Sequence, residues 1–315
     1  MKRYLIKRIL SLIPVLIIVS VVIFFLIHLT PGDPARTMLG DQATEEDIQN
    51  LRETLGLNDP IMIQYTNWVK NIFQGDLGDS IFIDEPMTQI ISEHIGPTVA
   101  LTIYSLIIAL IVAVPLGIVA AKNRGRIPDQ CVSAFSMLGI SIPSFLMGLF
   151  LILIFAVRLK VLPDAGYKPI SEYGFGTFVK YLTLPAISLG LMQAALITRM
   201  TRSSVVEVLN TDYIKMAKAK GMSEFVILMK HAFRNALLPI ITVVGQSFIA
   251  LLSGAAVVET VFNIPGVGQL VVNSVQRRDY EVIQAIVLVI AMINVAINLV
   301  VDLLYAAADP RIRLE

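Results

Sequence analysis

Six stretches of the chain are apolar over nearly their whole length, at residues 9–29, 97–121, 131–157, 182–198, 236–258 and 282–305. Each is close to the ~20 residues that a helix needs to cross a bilayer, so the pattern predicts an all-α integral membrane protein with six transmembrane helices. An even number of spans brings both termini to one side. The longest polar interval, 30–96, follows the first run. Within it, residues 47–55 and 61–73 carry apolar positions at helical spacing, with Tyr65 and Trp68 available to pack on them or to sit at the interface. A small helical lobe is expected there. The chain thus divides into a terminal segment and first helix (1–29), the lobe (30–96) and a helical core (97–315).

On the other side, the longest polar break is 199–239, and its pattern is more ordered than a connector requires. Thr211 and Asp212 suit the start of a short helix, and Tyr213, Ile214 and Ala217 share a face. Lys215, Lys218 and Lys220 lie toward its C-terminal end, where cations suit the helix dipole, and Gly221 is a C-terminal stop. Ser223 then begins a second helix through Phe225, Val226, Leu228, Met229, Ala232 and Phe233, up to Pro239 at the edge of the next apolar run. The expected result is a helix-turn-helix knuckle at the membrane surface. Periodicity alone fits an amphipathic connector lying among lipid headgroups equally well.

Composition agrees with the bilayer reading, since 56% of residues are hydrophobic and only 16% charged, which excludes an ordinary soluble domain. The charges are also sorted. With residues 1–8, 122–130, 199–235 and 302–315 on one side, Lys and Arg divide 16 to 9 and Asp and Glu 7 to 17, a net of +9 against −8. The basic side is the cytoplasmic one, so both termini and the knuckle are expected in the cytoplasm and the acidic lobe outside. Lys2, Arg3, Lys7 and Arg8 precede the first run; no small-residue cleavage site follows it, which favours an uncleaved anchor over a signal peptide. The single cysteine, Cys131, excludes an internal disulfide framework and reads as a packing residue.

Chemistry is sparse. No G-x-x-x-x-G-K-[ST], H-E-x-x-H or G-x-S-x-G occurs, and His28, His94 and His231 are too scattered to suggest a metal site. The spans hold few polar groups, namely Gln193, Gln246, Asn294, Asn298 and Asp302. Gln193, Gln246 and Asn294 are pathway candidates, though hydrogen bonding between helices explains such residues equally well. An ion-coupled secondary carrier would call for ionisable side chains near mid-membrane, and no span carries a row of them. Pro14, Pro115 with Gly117, Pro143, and Pro185 with Gly190 interrupt the apolar runs, while Gly139, Gly148, Ser253, Gly254, Ala255 and Ala256 suit close helix contact.

Several spaced motifs resemble one family. They are D-Y-I-x-x-A-x-A-K-G from Asp212 to Gly221, H-x-x-R-N-A-L-L-P from His231 to Pro239, and E-x-x-F-x-x-P-G-x-G from Glu259 to Gly268. To these add Arg278-Asp279-Tyr280, Pro31-Gly32-Asp33-Pro34-Ala35, L-G-L-x-x-P from Leu55 to Pro60, G-D-L-G-x-S from Gly75 to Ser80, and the tail through Asp309-Pro310-Arg311. Together they resemble the permease subunits of the peptide and nickel branch (dipeptide, oligopeptide, glutathione) of binding-protein-dependent ABC importers, with residues 211–221 similar to the EAA loop. Lys215 stands where the general motif has Glu, and Glu281 where a proline is common.

The resemblance implies a type I ABC importer permease fold with no catalysis of its own, in the bacterial inner membrane. It also implies that Thr211, Asp212, Tyr213, Ile214, Ala217, Lys218, Ala219, Lys220 and Gly221 dock on an ATPase, and that Glu259, Arg277, Arg278, Asp279 and Glu281 meet an extracytoplasmic peptide-binding protein. The implied cargo is a peptide, with a nickel chelate or glutathione as alternatives. The implied partners are a second permease, a paralogue by the family's habit of pairing, two ABC ATPases that bind ATP and Mg, and lipid; no cofactor in this chain and no nucleic acid are expected.

Overall fold

The computed structural model describes residues 2–28, 34–39, 43–54, 56–80, 82–83, 85–277 and 279–308. In chain order its helices are α1 (Lys2–His28), α2 (Pro34–Leu39), α3 (Glu45–Thr54), α4 (Ile61–Phe73), α5 (Met87–Lys122), α6 (Ile127–Ser141) and α7 (Ser144–Leu151), which widens into a π-helix over Ile152–Arg158. There follow α8 (Ile170–Leu209), α9 (Asp212–Ala219), α10 (Glu224–Val226) with a π-helical turn over Ile227–Phe233, α11 (Arg234–Val261), α12 (Val267–Arg277) and α13 (Tyr280–Ala308). Among the described residues the predicted apolar runs are helical, except at Ile142–Pro143. Four helices, Met87–Lys122, Ile170–Leu209, Glu224–Val261 and Tyr280–Leu303, are long and apolar enough to cross a membrane, and α6 with α7 makes a fifth if the pair is one span. Within α1, Leu12–Phe25 is a shorter apolar stretch among the described residues.

The run 131–157 is the main departure from expectation. It is a broken pair, with α6 and α7 bent by 102°. The cause is local: Pro143 disfavours helical backbone at the residue before it, and Ile142 is extended at φ −95°, ψ 120°. Pro14, Pro97, Pro115, Pro185 and Pro239 lie inside helices that continue through them, so none of these marks a boundary. The widening ahead of α11 comes earlier than Pro239, at Ile227–Phe233.

The chain forms two compact units. One comprises Gly96–Gln269 with Ala296–Glu315. Its core gathers Leu101, Phe178, Leu182, Leu184, Leu189, Leu251, Phe262 and Ile264, all buried. Small residues set the helix crossings. A Cβ on Gly190 would lie 2.7 Å from the carbonyl oxygen of Ser105, so α8 and α5 meet backbone to backbone there. Helix α8 kinks at Gly174 (φ 76°, ψ 163°), and the 35 residues from Phe175 to Leu209 extend about 50 Å at 1.5 Å per residue. That exceeds a hydrocarbon core of ~30 Å, and the helix continues unbroken through the more polar stretch Arg199–Leu209, which forms the α8 arm.

The other unit comprises Lys2–Ile95 and Leu270–Val295. Here α4 packs on α1 through aromatic rings, with Phe24 centred 5.3 Å from Tyr65 and 5.8 Å from Trp68, and the Tyr65 hydroxyl 2.9 Å from that of Ser20. Thr44 and Asp47 cap α3 reciprocally, the Asp47 amide donating to Thr44 Oγ1 at 3.2 Å and the Thr44 amide to Asp47 Oδ2 at 3.3 Å.

A candidate coupling knuckle and docking loop

The knuckle begins where the α8 arm ends. After Asn210, the chain turns through Thr211 into α9, whose eight residues make barely two turns and are too few to hold a helix unaided. Packing supplies the rest. Ile214 is fully buried and Ala217 nearly so, in a cluster with Ala121 of α5, Val205 of the α8 arm, Ile227, Ala232, Ala236 and Ile240. Burial of a side chain such as Ile214 contributes about 1.5–3 kcal/mol.

The caps differ from expectation in detail. Thr211 Oγ1 donates back to the Val208 carbonyl at 2.7 Å and makes no cap hydrogen bond to α9, while Asp212 pairs with Lys215 at 2.8 Å. At the other end Gly221 (φ 74°) donates to the Lys218 carbonyl at 2.9 Å and Met222 to that of Ala217 at 3.3 Å. This crossed pair of bonds satisfies the last carbonyls and needs a left-handed residue where Gly221 stands.

Helix α9 therefore presents a different face from the one expected. Ala217, one of the residues that the resemblance places against an ATPase, is turned inward onto the chain's own core. What faces outward is Met216 (59% exposed), with Tyr213, Lys215, Lys218, Ala219, Lys220 and Gly221, and beyond the turn Phe225 (73% exposed). The Tyr213 hydroxyl bonds to His231 Nδ1, and their rings meet edge to face at 5.5 Å, which fastens α9 to the π-helical turn. Met216 and Phe225 carried no motif; their only signal was an apolar side chain on a polar stretch.

The predicted docking residues fare differently again. Glu259 is fully buried at the end of α11, accepting hydrogen bonds from Thr98 Oγ1 at 2.6 Å and the Gln269 amide at 2.9 Å, while Thr98 Oγ1 accepts from the Val267 amide at 2.8 Å. A Cβ on Gly266 would fall 2.3–2.5 Å from its carboxylate, so glycine is required there. Phe262, also fully buried, sends its carbonyl to the Gly166 amide at 2.7 Å. Glu259 is thus the template of the 262–269 loop, and presents no charge to a docking protein. Asp279 is also buried, its carboxylate accepting from Ser80 Oγ at 2.7 Å. Glu281 is half-buried, with Oε2 facing Gly78, and Arg277 is exposed. Arg278 lies outside the described residues.

Of the pathway candidates, Gln193 is buried within the helix packing, Gln246 is exposed on α11, and Asn294 is half-buried with Oδ1 enclosed and unpaired. Gln246 shares its outward strip with Ala250, Ser253, Gly254, Val257 and Thr260, a helical spacing of small and polar groups. Cys131, expected as packing, is exposed.

The profile of the binding-protein-dependent transport system inner membrane component family matches residues 113–314, and that of its N-terminal membrane component region matches residues 1–102. The chain belongs to this family. As a permease it is 44% identical over 315 residues to the glutathione transport system permease protein of Escherichia coli K12, covering 100% of both chains. It is 41% identical over 310 residues to a probable peptide ABC transporter permease protein of Sinorhizobium fredii, covering 98% of this chain and 99% of that one. Among solved structures, a methionine ABC transporter in inward facing conformations matches with a TM-score of 0.61 at 20% identity, covering 72% of this permease and 100% of that chain. An amino acid ABC transporter matches at TM-score 0.53 and 14% identity, over 70% and 94%. These likenesses give the permease an ABC importer permease fold, as a multi-pass inner membrane subunit working with ATPase and substrate-binding partners.

Proposed function

We propose that this permease carries peptides across the inner membrane through a path shared with a second, paralogous permease, and that α9 is its socket for the ATPase. The observation that carries the reading is the arm and its load. A continuous helix runs on from the apolar stretch 182–198 through Arg199–Leu209, and at its tip a two-turn helix is packed inward through Ile214 and Ala217 while Tyr213, Met216 and Phe225 face outward. Apolar side chains held on a rigid, exposed base suit a protein groove. The asymmetry of charge supports a cytoplasmic knuckle, cytoplasmic termini and an outside lobe. ATP and Mg belong to the partner ATPases; their closure displaces α9, and the α8 arm transmits the motion as a rigid body. The Gln246, Ser253, Gly254 and Thr260 strip of α11 lines the path, where an exposed amide between apolar neighbours finds water or a partner.

Peptide cargo is supported by the name of the Sinorhizobium relative. A second reading, glutathione, itself a tripeptide, is supported by the relative at 44% identity over the whole chain. The test is reconstitution with the ATPases and binding protein encoded beside it. Met216→Glu, which places a charge on the outward face, should strip the ATPase from the complex and leave the permease folded. Full ATPase retention in that variant would remove α9 as the socket, and transport of neither dipeptides nor glutathione would remove the cargo.

A further inference from the structure

One half-buried ion pair lies outside both the knuckle and the docking loop. Asp129 stands in the first turn of α6, 4% exposed, and Arg202 lies on the α8 arm, seven residues before its end at Leu209. The guanidinium grips the carboxylate with two prongs, Nε donating to Oδ1 and Nη2 to Oδ2, the latter at 2.8 Å. The Gly125 amide donates to Oδ2 as well, at 2.8 Å, so the same carboxylate fixes the turn between α5 and α6. Charged hydrogen bonds of this geometry are strong and directional, and the α6 N-terminus favours the anion.

The neighbouring residue on the arm, Thr201, abuts α5: a Cβ on Gly117 would lie 2.6 Å from Thr201 Cβ. Adjacent residues of the arm are thus fastened to two different helices. One turn further, Val205 packs with Ile214 and Ala217 of α9. An unbroken chain of contact runs from α9 through Val205 to Arg202, and from Arg202 through Asp129 into α6. Toward its other end α6 meets α8 again, where a Cβ on Gly139 would lie 2.9 Å from that of Ala195.

We infer that Asp129 and Arg202 are a positioning pair that makes α6 follow the α8 arm, so that displacement of the knuckle reaches the broken α6–α7 span. The inference rests on the importer reading above. Apolar packing between two helices allows sliding; a two-pronged ion pair with a third bond to the turn does not.

Cys131, the only cysteine and exposed on α6, is a built-in reporter. In the complex with ATP-binding subunits stripped of accessible cysteines, Cys131 is labelled with bimane, and its fluorescence is followed on addition of ATP and vanadate. Wild type should respond. Arg202→Gln should cut the response at least about tenfold, the range of a typical coupling between sites, while ATP hydrolysis persists. Arg202→Lys keeps the cation but loses the fork, should give an intermediate response, and decides the matter if the Gln variant fails to assemble. Wild-type responses in the assembled variants overturn the inference. So does a silent label on a wild-type complex that hydrolyses ATP, or parallel loss of hydrolysis and response in both variants. Absence of any ATP-binding subunit from the wild-type complex would instead remove the importer reading itself.

Discussion

Replacing Ile214 by alanine should release α9 from the permease without touching its outward face. Ile214 is fully buried among Ala121, Val205, Ile227, Ala232, Ala236 and Ile240. The change removes three carbons, about 0.8 kcal/mol each by transfer, and leaves a cavity half of whose named lining is alanine, with no side chain long enough to fill it. The expected cost is about 2–5 kcal/mol, and since Ile214 is the largest buried side chain of the two-turn α9, most of it falls on local opening. At 1.4 kcal/mol per decade, the opening equilibrium of α9 rises roughly 30-fold to several-thousand-fold. Hydrogen exchange is the assay, read at the amides of Lys220, Gly221 and Met222, which bond to Met216, Lys218 and Ala217. Met216→Ala is the control. Its side chain is exposed, so exchange should stay within a factor of about two, as for ordinary surface changes. Exchange within threefold of wild type in Ile214→Ala would refute the packing argument, since α9 would then be held by something other than its buried face.

Three further outcomes are expected. Gly266→Ala drives a methyl into the Glu259 carboxylate and should lower thermal stability by about 1–3 kcal/mol, measured by unfolding in detergent, whereas Gly254→Ala, whose Cβ meets only Leu189 at 3.8 Å, should be near neutral. Gly190→Val sets side-chain bulk against the Ser105 carbonyl and should reduce the yield of folded permease, with normal yield counting against the α5–α8 crossing. Asp279→Ala and Ser80→Ala should each loosen the contact between residue 80 and residue 279, read as faster proteolysis of residues 76–86, because loss of either partner leaves a buried polar group unpaired.

Much of the fold was legible because bilayer burial writes itself as long apolar runs, and every run but 131–157, which is a broken pair, falls in a single helix over its described residues. Two helices of the lobe, α3 and α4, and the knuckle's α9 were legible from spacing, and Gly221 from its place after the last lysine, while α2 was not expected. Hydropathy could not reveal the sharp bend at Ile142–Pro143, since both arms of the bend are equally apolar, nor the π-helical turns, which have no compositional mark. Periodicity found the face holding Ile214 and Ala217 but not what it faces. The acidic residues Glu259 and Asp279 looked like surface because charge usually is; their partners, Thr98 and Ser80, lie 161 and 199 residues away. Asp129 and Arg202 were invisible for the same reason, separated by 73 residues, although a carboxylate just after Pro128 at a helix start is a faint pointer.

The central claim is that α9 meets the ATPase with the face bearing Met216 and Phe225. A photoreactive phenylalanine analogue placed at Phe225, and separately at Ile214, tests it in intact cells. The account predicts an adduct between the permease and the ATP-binding subunit from position 225, and none from position 214, whose side chain is enclosed by its own chain. An ATPase adduct from position 214 but not 225, or adducts with lipid alone from position 225, would contradict it.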